Sequence, residues 1–283
     1  MPVTDADLAT LAASHDIISL GMLADEERRR RHGTRTTFVR VATIRADPGG
    51  PLDWPPAAGE IRIVGIPQSR AAAAARVRAV ATAANGVPVS AFSLADLEQL
   101  AAAEALTLRA LLEELRGAGA ELVAEAPVDR LHEPRRAIEE VNIAGLALAR
   151  LTVHQLPPGD VISFLRSVVD LRRSVGFIRA FAPLSRAASP TVPTTGYDDV
   201  KRVALARLVV DNIPSIQVDW SLYGPKLAQV ALTVGADDVD AVSADDDTTA
   251  GQRRSPLAEI RRNIRAAGQE PVERNGRFDL VAR

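Results

Sequence analysis

The sequence predicts an α/β fold: a (β/α) barrel of the TIM type behind an N-terminal helical extension. Three observations carry this. Short β-like runs alternate with amphipathic helices seven or eight times over about 250 residues. Apolar residues make up 47% of the 283 and charged residues 25%, ordinary values for a folded chain with a sizeable core. Neither GxGxxG after a strand nor GxxxxGKS/T occurs, so the usual marks of a doubly wound nucleotide-binding sheet are absent. An open doubly wound sheet is the alternative that the alternation leaves.

The elements follow in order. Residues 1–33 read as helical. Thr4 caps a first helix with Asp5 and Asp7 in its opening turn. A second helix over 16–31 ends in the arginines at 28–31, where cations suit the dipole, and Gly33 stops it. That basic run reads as a solvated helix end, with a phosphate- or partner-binding patch as the sharper alternative. The run 36–44 (TTFVRVATI) is β-branched and strand-like. Residues 45–60 carry Pro48, Pro51, Pro55 and Pro56 and form a loop. Strands follow at 60–67, 88–93, 120–127, 146–154, 176–184, 215–221 and 237–242. Helices separate them at 71–84, 94–104, 107–117 and 134–142, from Asp160 onward, and at 198–212 and 225–234. Leu108, Leu111, Leu112 and Leu115 recur at helical spacing, as do Val161, Phe164, Leu165 and Val168. A loop spans 185–197 and a last helix 255–268. The division is a helical extension at 1–33, a barrel at 34–268 and a short tail at 269–283.

Composition excludes whole classes of chemistry. There is no cysteine, hence no disulfide, thiolate nucleophile, Cys-type zinc or Cys-ligated iron–sulfur cluster. Lys plus Arg total 34 against 36 Asp plus Glu, which gives no whole-chain reason to expect nucleic acid. No apolar run approaches a membrane span, and residues 1–15 lack the basic start of a secretory signal, so a cytoplasmic location is expected. His15, His32, His132 and His154 form no metal-ligand pair, and Asp245, Asp246 and Asp247 read as a solvated triplet. No metal and no cofactor is expected.

Several segments resemble the futalosine-pathway branch of the radical S-adenosylmethionine (SAM) enzymes of menaquinone biosynthesis. The longest is DNIPSIQVDWSLYGPKLAQVALTVGADDVDAV (211–242), which looks most like aminofutalosine synthase. Others are ISLGMLADEERRRRHGTRTTFV (18–39), IRIVGIPQS (61–69), GFIRAFAPLSR (176–186) and RAAGQEPVERN (265–275), in family order. The resemblance implies a radical-SAM-like barrel. It also implies a CxxxCxxC loop after the first strand, where this chain carries the cysteine-free 45–60. The first β–α unit therefore reads as shortened. Where the family has glycines that help hold SAM, this chain has AEAPV (124–128). Reductive cleavage of SAM needs a thiolate-held cluster, so the expectation is a homologue that runs no radical chemistry.

In a barrel, functional side chains stand at the C-terminal strand ends. Those positions give His154, Glu125 and Asp129 as candidate catalysts. Gln68, Ser69, Ser90, Arg179, Asp219, Trp220, Tyr223 and Lys226 are candidate ligand contacts. Each has a plainer role: a hydrogen-bonded strand-end histidine, exposed loop carboxylates, a tryptophan plugging the barrel mouth, and a strand-to-helix turn at Gly224-Pro225. Arginine, lysine and histidine beside carboxylates suit a carboxylated, nucleoside-like or benzoate ligand. Three functions follow from this pattern. One is a non-catalytic partner or regulator of a radical enzyme in the futalosine route. The second is a cluster-independent lyase or hydrolase acting by acid–base chemistry. The third is a binding protein for such an intermediate.

Overall fold

The computed structural model describes residues 5–47, 49–155, 160–176, 178–187, 195–247 and 255–281. The fold is a (β/α) barrel of the TIM type. Helices α1 (Asp5–Ala13) and α2 (Ile17–His32) precede β1 (Arg35–Arg45). Asp16 caps α2 by accepting from Ser19 N. No helix is formed by the described residues between β1 and β2 (Glu60–Val64), so the first β–α unit is shortened. Next come α3 (Arg70–Ala83), β3 (Val89–Ser93), α4 (Leu94–Ala103), α5 (Leu108–Gly117), β4 (Leu122–Pro127) and α6 (Pro134–Ile143). The strands β5 (Ala147–Leu148) and β6 (Leu151–Val153) lead to α7 (Val161–Ser174), β7 (Ala180–Ser185) and α8 (Gly196–Val209). The chain closes with β8 (Ser215–Asp219), α9 (Trp220–Leu232), β9 (Asp238–Ser243), α10 (Pro256–Ala266) and β10 (Glu270–Arg274).

Two compact units divide these elements. One holds Met1–Phe38, Thr152–Val242 and Ala258–Val272; the other holds Val39–Leu151, Ser243–Leu257 and Glu273–Arg283. In the second unit β1, β2, β3 and β4 pair in parallel, with Ile44 beside Ile63, Ile63 beside Ala91 and Ala91 beside Val123. That register aligns one apolar face, which buries Ile61, Ile63, Val123 and, from α5, Leu111, Leu112 and Leu115. In the first unit β7, β8 and β9 pair in parallel, with Phe181 beside Ile216 and Val218 beside Val239. Thr37 N on β1 donates to Asp237 O. Gly235 has φ +116°, and a Cβ there would stand 2.8 Å from Arg207 Cβ, so only glycine fits. The buried Arg207 donates to Gly235 O and to the Asp237 carboxylate.

The structure corrects several sequence expectations. The single strand read at 146–154 is two, β5 and β6, and between them Ala149 N donates to Val123 O and Arg150 O accepts from Ala126 N. The tail at 269–283 contains β10, whose Glu270 N donates to Thr34 O. The helix expected from 225 begins at Trp220 and kinks at Gly224 (φ 75°, ψ 170°) before Pro225. Arg179 is exposed and precedes β7, at the end opposite the functional rim. Ser90 is the second residue of β3 and does not close it. Asp246 of the acidic triplet pairs with Arg40 at 3.0 Å. The Thr4 cap and most of the loop at 185–197 lie outside the described residues. No helix among the described residues is long and apolar enough to cross a membrane.

Candidate functional site

The richest polar site of the first unit comes from strand alternation. In β8, Ile216 and Val218 occupy one face, while Ser215, Gln217 and Asp219 occupy the other. In β9, Asp238 and Asp240 flank Val239 in the same way, and register sets Gln217 beside Asp238 and Asp219 beside Asp240. Gln217 Nε2 donates to Asp238 Oδ2 at 2.6 Å, and Thr37 Oγ1 donates to Oδ1. All four of these strand residues are buried.

Asp219 sits at the seam between β8 and α9. Its Oδ1 accepts from Leu222 N at 3.0 Å and from Ser221 Oγ at 2.9 Å, which caps α9. Its Oδ2 accepts from Arg186 Nη1 at 3.1 Å. The Tyr223 hydroxyl donates to Ser185 O, and burial pushes its pKa above the ordinary tyrosine value. Ser185 Oγ in turn donates to His154 O at 3.0 Å. Two hydrogen-bonded groups, Asp219 with Arg186 and Tyr223 with Ser185 and His154 O, thus stand at the C-terminal ends of β6, β7 and β8, with Arg186 and His154 only half-buried. Such an arrangement can fix a polar ligand by charge-assisted hydrogen bonds.

The second unit has its own buried polar cluster. Glu60 Oε1 accepts from Arg62 Nε at 2.8 Å, Ser90 Oγ at 2.6 Å and Arg150 Nη2 at 3.5 Å. Burial raises the Glu60 pKa, but the Arg62 and Arg150 charges and the hydrogen bonds from Arg62 and Ser90 outweigh it and hold the carboxyl well below the usual range. Ser90 therefore has a place in a charged cluster. Ser69 Oγ accepts from Ala72 N at 3.1 Å as the cap of α3, and Gln68 is exposed. Glu125 lies half-buried within β4 beside Ser93, and Asp129 is exposed. Trp220 is buried at the start of α9, whereas Lys226 is exposed. Within the first unit the structure links Tyr223 to His154 O through Ser185 and pairs Asp219 with Arg186, and it leaves Arg179 at the other strand end.

Sequence reasoning missed Gln217, Asp238, Asp240, Glu60, Arg62 and Arg150. The signal was present as a period of two. EIRIV, SIQVD and DVDAV each alternate polar and apolar residues, which marks a strand with one polar face.

The loop after β1 carries the remaining feature. Trp54 packs on the buried Ala42, Ala58 and Ala244. The buried Arg76 holds the same loop, donating from Nε to Arg45 O at 2.9 Å and from Nη1 to Gly50 O at 3.0 Å.

Comparison with known proteins agrees with this geometry. The family described as the CofH/MqnC C-terminal region matches residues 177–282, the segment that carries Arg186, Asp219, Tyr223 and Asp240. The chain is 31% identical over 180 residues to cyclic dehypoxanthine futalosine synthase of Streptomyces coelicolor, covering 58% of this chain and 45% of that enzyme. It is 29% identical over 240 residues to aminodeoxyfutalosine synthase of Thermus thermophilus, covering 72% of this chain and 63% of that enzyme. The chain is a cysteine-free relative of the futalosine-pathway radical SAM enzymes. It spans less than two-thirds of the length of these relatives. Its fold is also that of methylornithine synthase (PylB), with TM-score 0.68 at 14% identity over 96% of this chain and 94% of that one. The FeFe-hydrogenase maturase HydG of Carboxydothermus hydrogenoformans gives TM-score 0.63 at 13% identity, over 94% of this chain and 75% of that one. At these identities the likeness concerns the fold alone.

The iron–sulfur cluster that radical SAM chemistry requires does not fit this relative. Three thiolates hold such a cluster, and the sequence has none. The loop after β1 presents Trp54 and prolines. No group of His, Asp and Glu among the described residues could hold a metal in place of the cluster.

Proposed function

We propose that this chain serves the futalosine route to menaquinone without radical chemistry, as a non-catalytic partner or regulator of an enzyme of that route. The observation that carries this reading is the pairing of a matched C-terminal region with a first β–α connection that has no cluster ligand. The loop at 46–59 supports it. Arg76 and Trp54 fix its path, which makes it a built surface, and Leu52 is exposed upon it. Ile66, which follows β2 in the same unit, is exposed as well. The test is co-purification of the tagged chain with a cysteine-bearing futalosine-pathway synthase, followed by turnover of that synthase with and without it. The reading expects a complex and a changed rate. Absence of both contradicts it.

A cluster-independent lyase or hydrolase is the second reading. The Asp219–Arg186 pair favours it, because a carboxylate and a guanidinium meet at the C-terminal strand ends, with the Tyr223 hydroxyl held nearby on Ser185 O. Product formed from a carboxylated nucleoside by the purified chain alone, and lost in Asp219→Asn, is the result that selects it.

A further inference from the structure

The first two turns of α2 are apolar on every side. Leu20, Gly21 and Ala24 are buried, while Ile18 is 73% exposed, Met22 69%, and Leu23 is exposed as well. A helical stretch that is apolar all round is ordinarily covered all round. The helix cannot rotate to bury the other side. It lies against Val234 at Gly21, where a Cβ would stand 2.9 Å from Val234 Cγ1, so no other residue fits that contact.

The charges on the same helix are unevenly matched. Asp25 pairs with Arg28 at 2.8 Å and with Arg29 at 2.7 Å, and Glu27 pairs with Arg30 at 2.7 Å and with Arg31. Glu26 is exposed and takes part in no hydrogen bond or ion pair among the described residues. The arginines it could reach at i+3 and i+4 are committed to its neighbours. Ile18, Met22 and Glu26 stand in one row, at i, i+4 and i+8. Met22, Leu23 and Glu26 line a single shallow groove of about 580 Å³, together with Ser19, Asp25 and Arg29. A free carboxylate thus closes one end of an uncovered apolar ridge.

We propose that this face of α2 docks an amphipathic helix of another protein, with apolar residues at helical spacing and a lysine or arginine one turn beyond them. The apolar residues would cover Ile18, Met22 and Leu23, and the cation would meet Glu26. A second copy of α2 does not match. In an antiparallel pair centred on Met22, Ile18 faces Glu26 of the second copy; in a parallel pair Glu26 faces Glu26. Sliding an antiparallel pair until Glu26 meets Arg29 sets Met22 opposite Gly33, past the end of the helix. Charge complementarity therefore selects a partner that carries its own cation. The inference does not depend on the regulatory reading. The loop at 46–59 belongs to the second unit, and co-purification with a synthase can succeed or fail whatever α2 binds.

The test is fluorescence anisotropy of the full chain with a synthetic alanine-based helical peptide carrying leucines at i and i+4 and a lysine at i+8. A peptide with glutamate in place of the lysine is the second arm. The lysine peptide binds at least tenfold more tightly than the glutamate peptide. Glu26→Lys reverses that preference, a signature that a loss of folding would not produce. Met22→Ser weakens binding of the lysine peptide at least tenfold and leaves Tm of the free chain unchanged, because the side chain is exposed. The proposal is overturned if the lysine peptide fails to bind at about millimolar concentration. Equal binding of the two peptides, or unchanged binding by Met22→Ser, overturns it too. So does a chain that sediments as a dimer and becomes a monomer in Met22→Ser, which would make a second copy the occupant.

Discussion

The two units carry different polar chemistry on the same kind of strand. In the second, Arg62 and Arg150 converge on the buried Glu60. In the first, the carboxylates take hydrogen bonds from neutral donors as well as from arginines, Arg186 on Asp219 and Arg207 on Asp237. Asp238 accepts from Thr37 and Gln217, and Asp219 from Ser221 and a backbone N–H. A buried carboxylate between arginines is a structural charge balance. Hydroxyls and amides on a carboxylate fix its orientation as well as its charge, as Thr37 and Gln217 do for Asp238. The contrast also tracks the comparisons. The region matched by the CofH/MqnC C-terminal family contains the β8–β9 residues, whereas the β1–β2 connection has lost the residues that radical chemistry needs.

The largest effect that can break this comparison is at Glu60. Glu60→Gln leaves Arg62 and Arg150 buried without their shared negative charge, and costs about 3–5 kcal/mol of stability, read from the urea midpoint. Thr37→Val, which strips one neutral donor from Asp238, costs about 1–3 kcal/mol in the same measurement. If the two losses come out equal, the distinction between a charge balance and a neutral-donor shell fails. Arg76→Met removes the guanidinium that holds the 45–51 backbone, and its cost is also about 1–3 kcal/mol. Faster amide exchange should then be confined to 46–59, and unchanged exchange there would show that Trp54 packing alone fixes the loop.

These elements also show what the sequence made legible. The β–α order and the helical extension followed from periodicity and caps, because those signals are local, whereas the shortened first unit followed from the resemblance. The strand ends at Ser90 and Arg179 were misplaced because pairing with neighbouring strands sets them. The 269–283 segment looked like a tail because nothing local announces that Glu270 will pair with Thr34. Asp219 and Tyr223 were found from their position after a strand. Asp238 and Asp240 were not taken as site candidates, although DVDAV, read as a strand, alternates polar and apolar residues. A polar residue at every second position was the overlooked signal throughout.

Two smaller effects sharpen the account through pH. Burial holds the His32 pKa below its ordinary 6.5, with the Asp237 charge opposing in part. The unfolded chain therefore takes up this proton first, and stability falls as pH drops below 6.5 towards the folded value. In His32→Asn, which keeps a side chain able to meet Pro214 O, that slope should vanish; an unchanged slope assigns it elsewhere. The Arg30 hydrogen bond, followed by Arg31, holds Glu27 down to about 2 from 4.5 against a burial cost. Its contribution is present above 4.5 and is lost as pH falls towards about 2. Glu27 is half-buried but its first partner Arg30 is exposed, so solvent screening keeps this the smallest effect, seen as a slightly flatter acid limb for Glu27→Gln.

The central claim is that this barrel works without an iron–sulfur cluster. The most direct measurement is anaerobic reconstitution of the purified chain with iron and sulfide, followed by reduction, electron paramagnetic resonance and assay of SAM cleavage. The account predicts no cluster signal and intact SAM. A reduced-cluster resonance with SAM cleavage that depends on the reductant would contradict it.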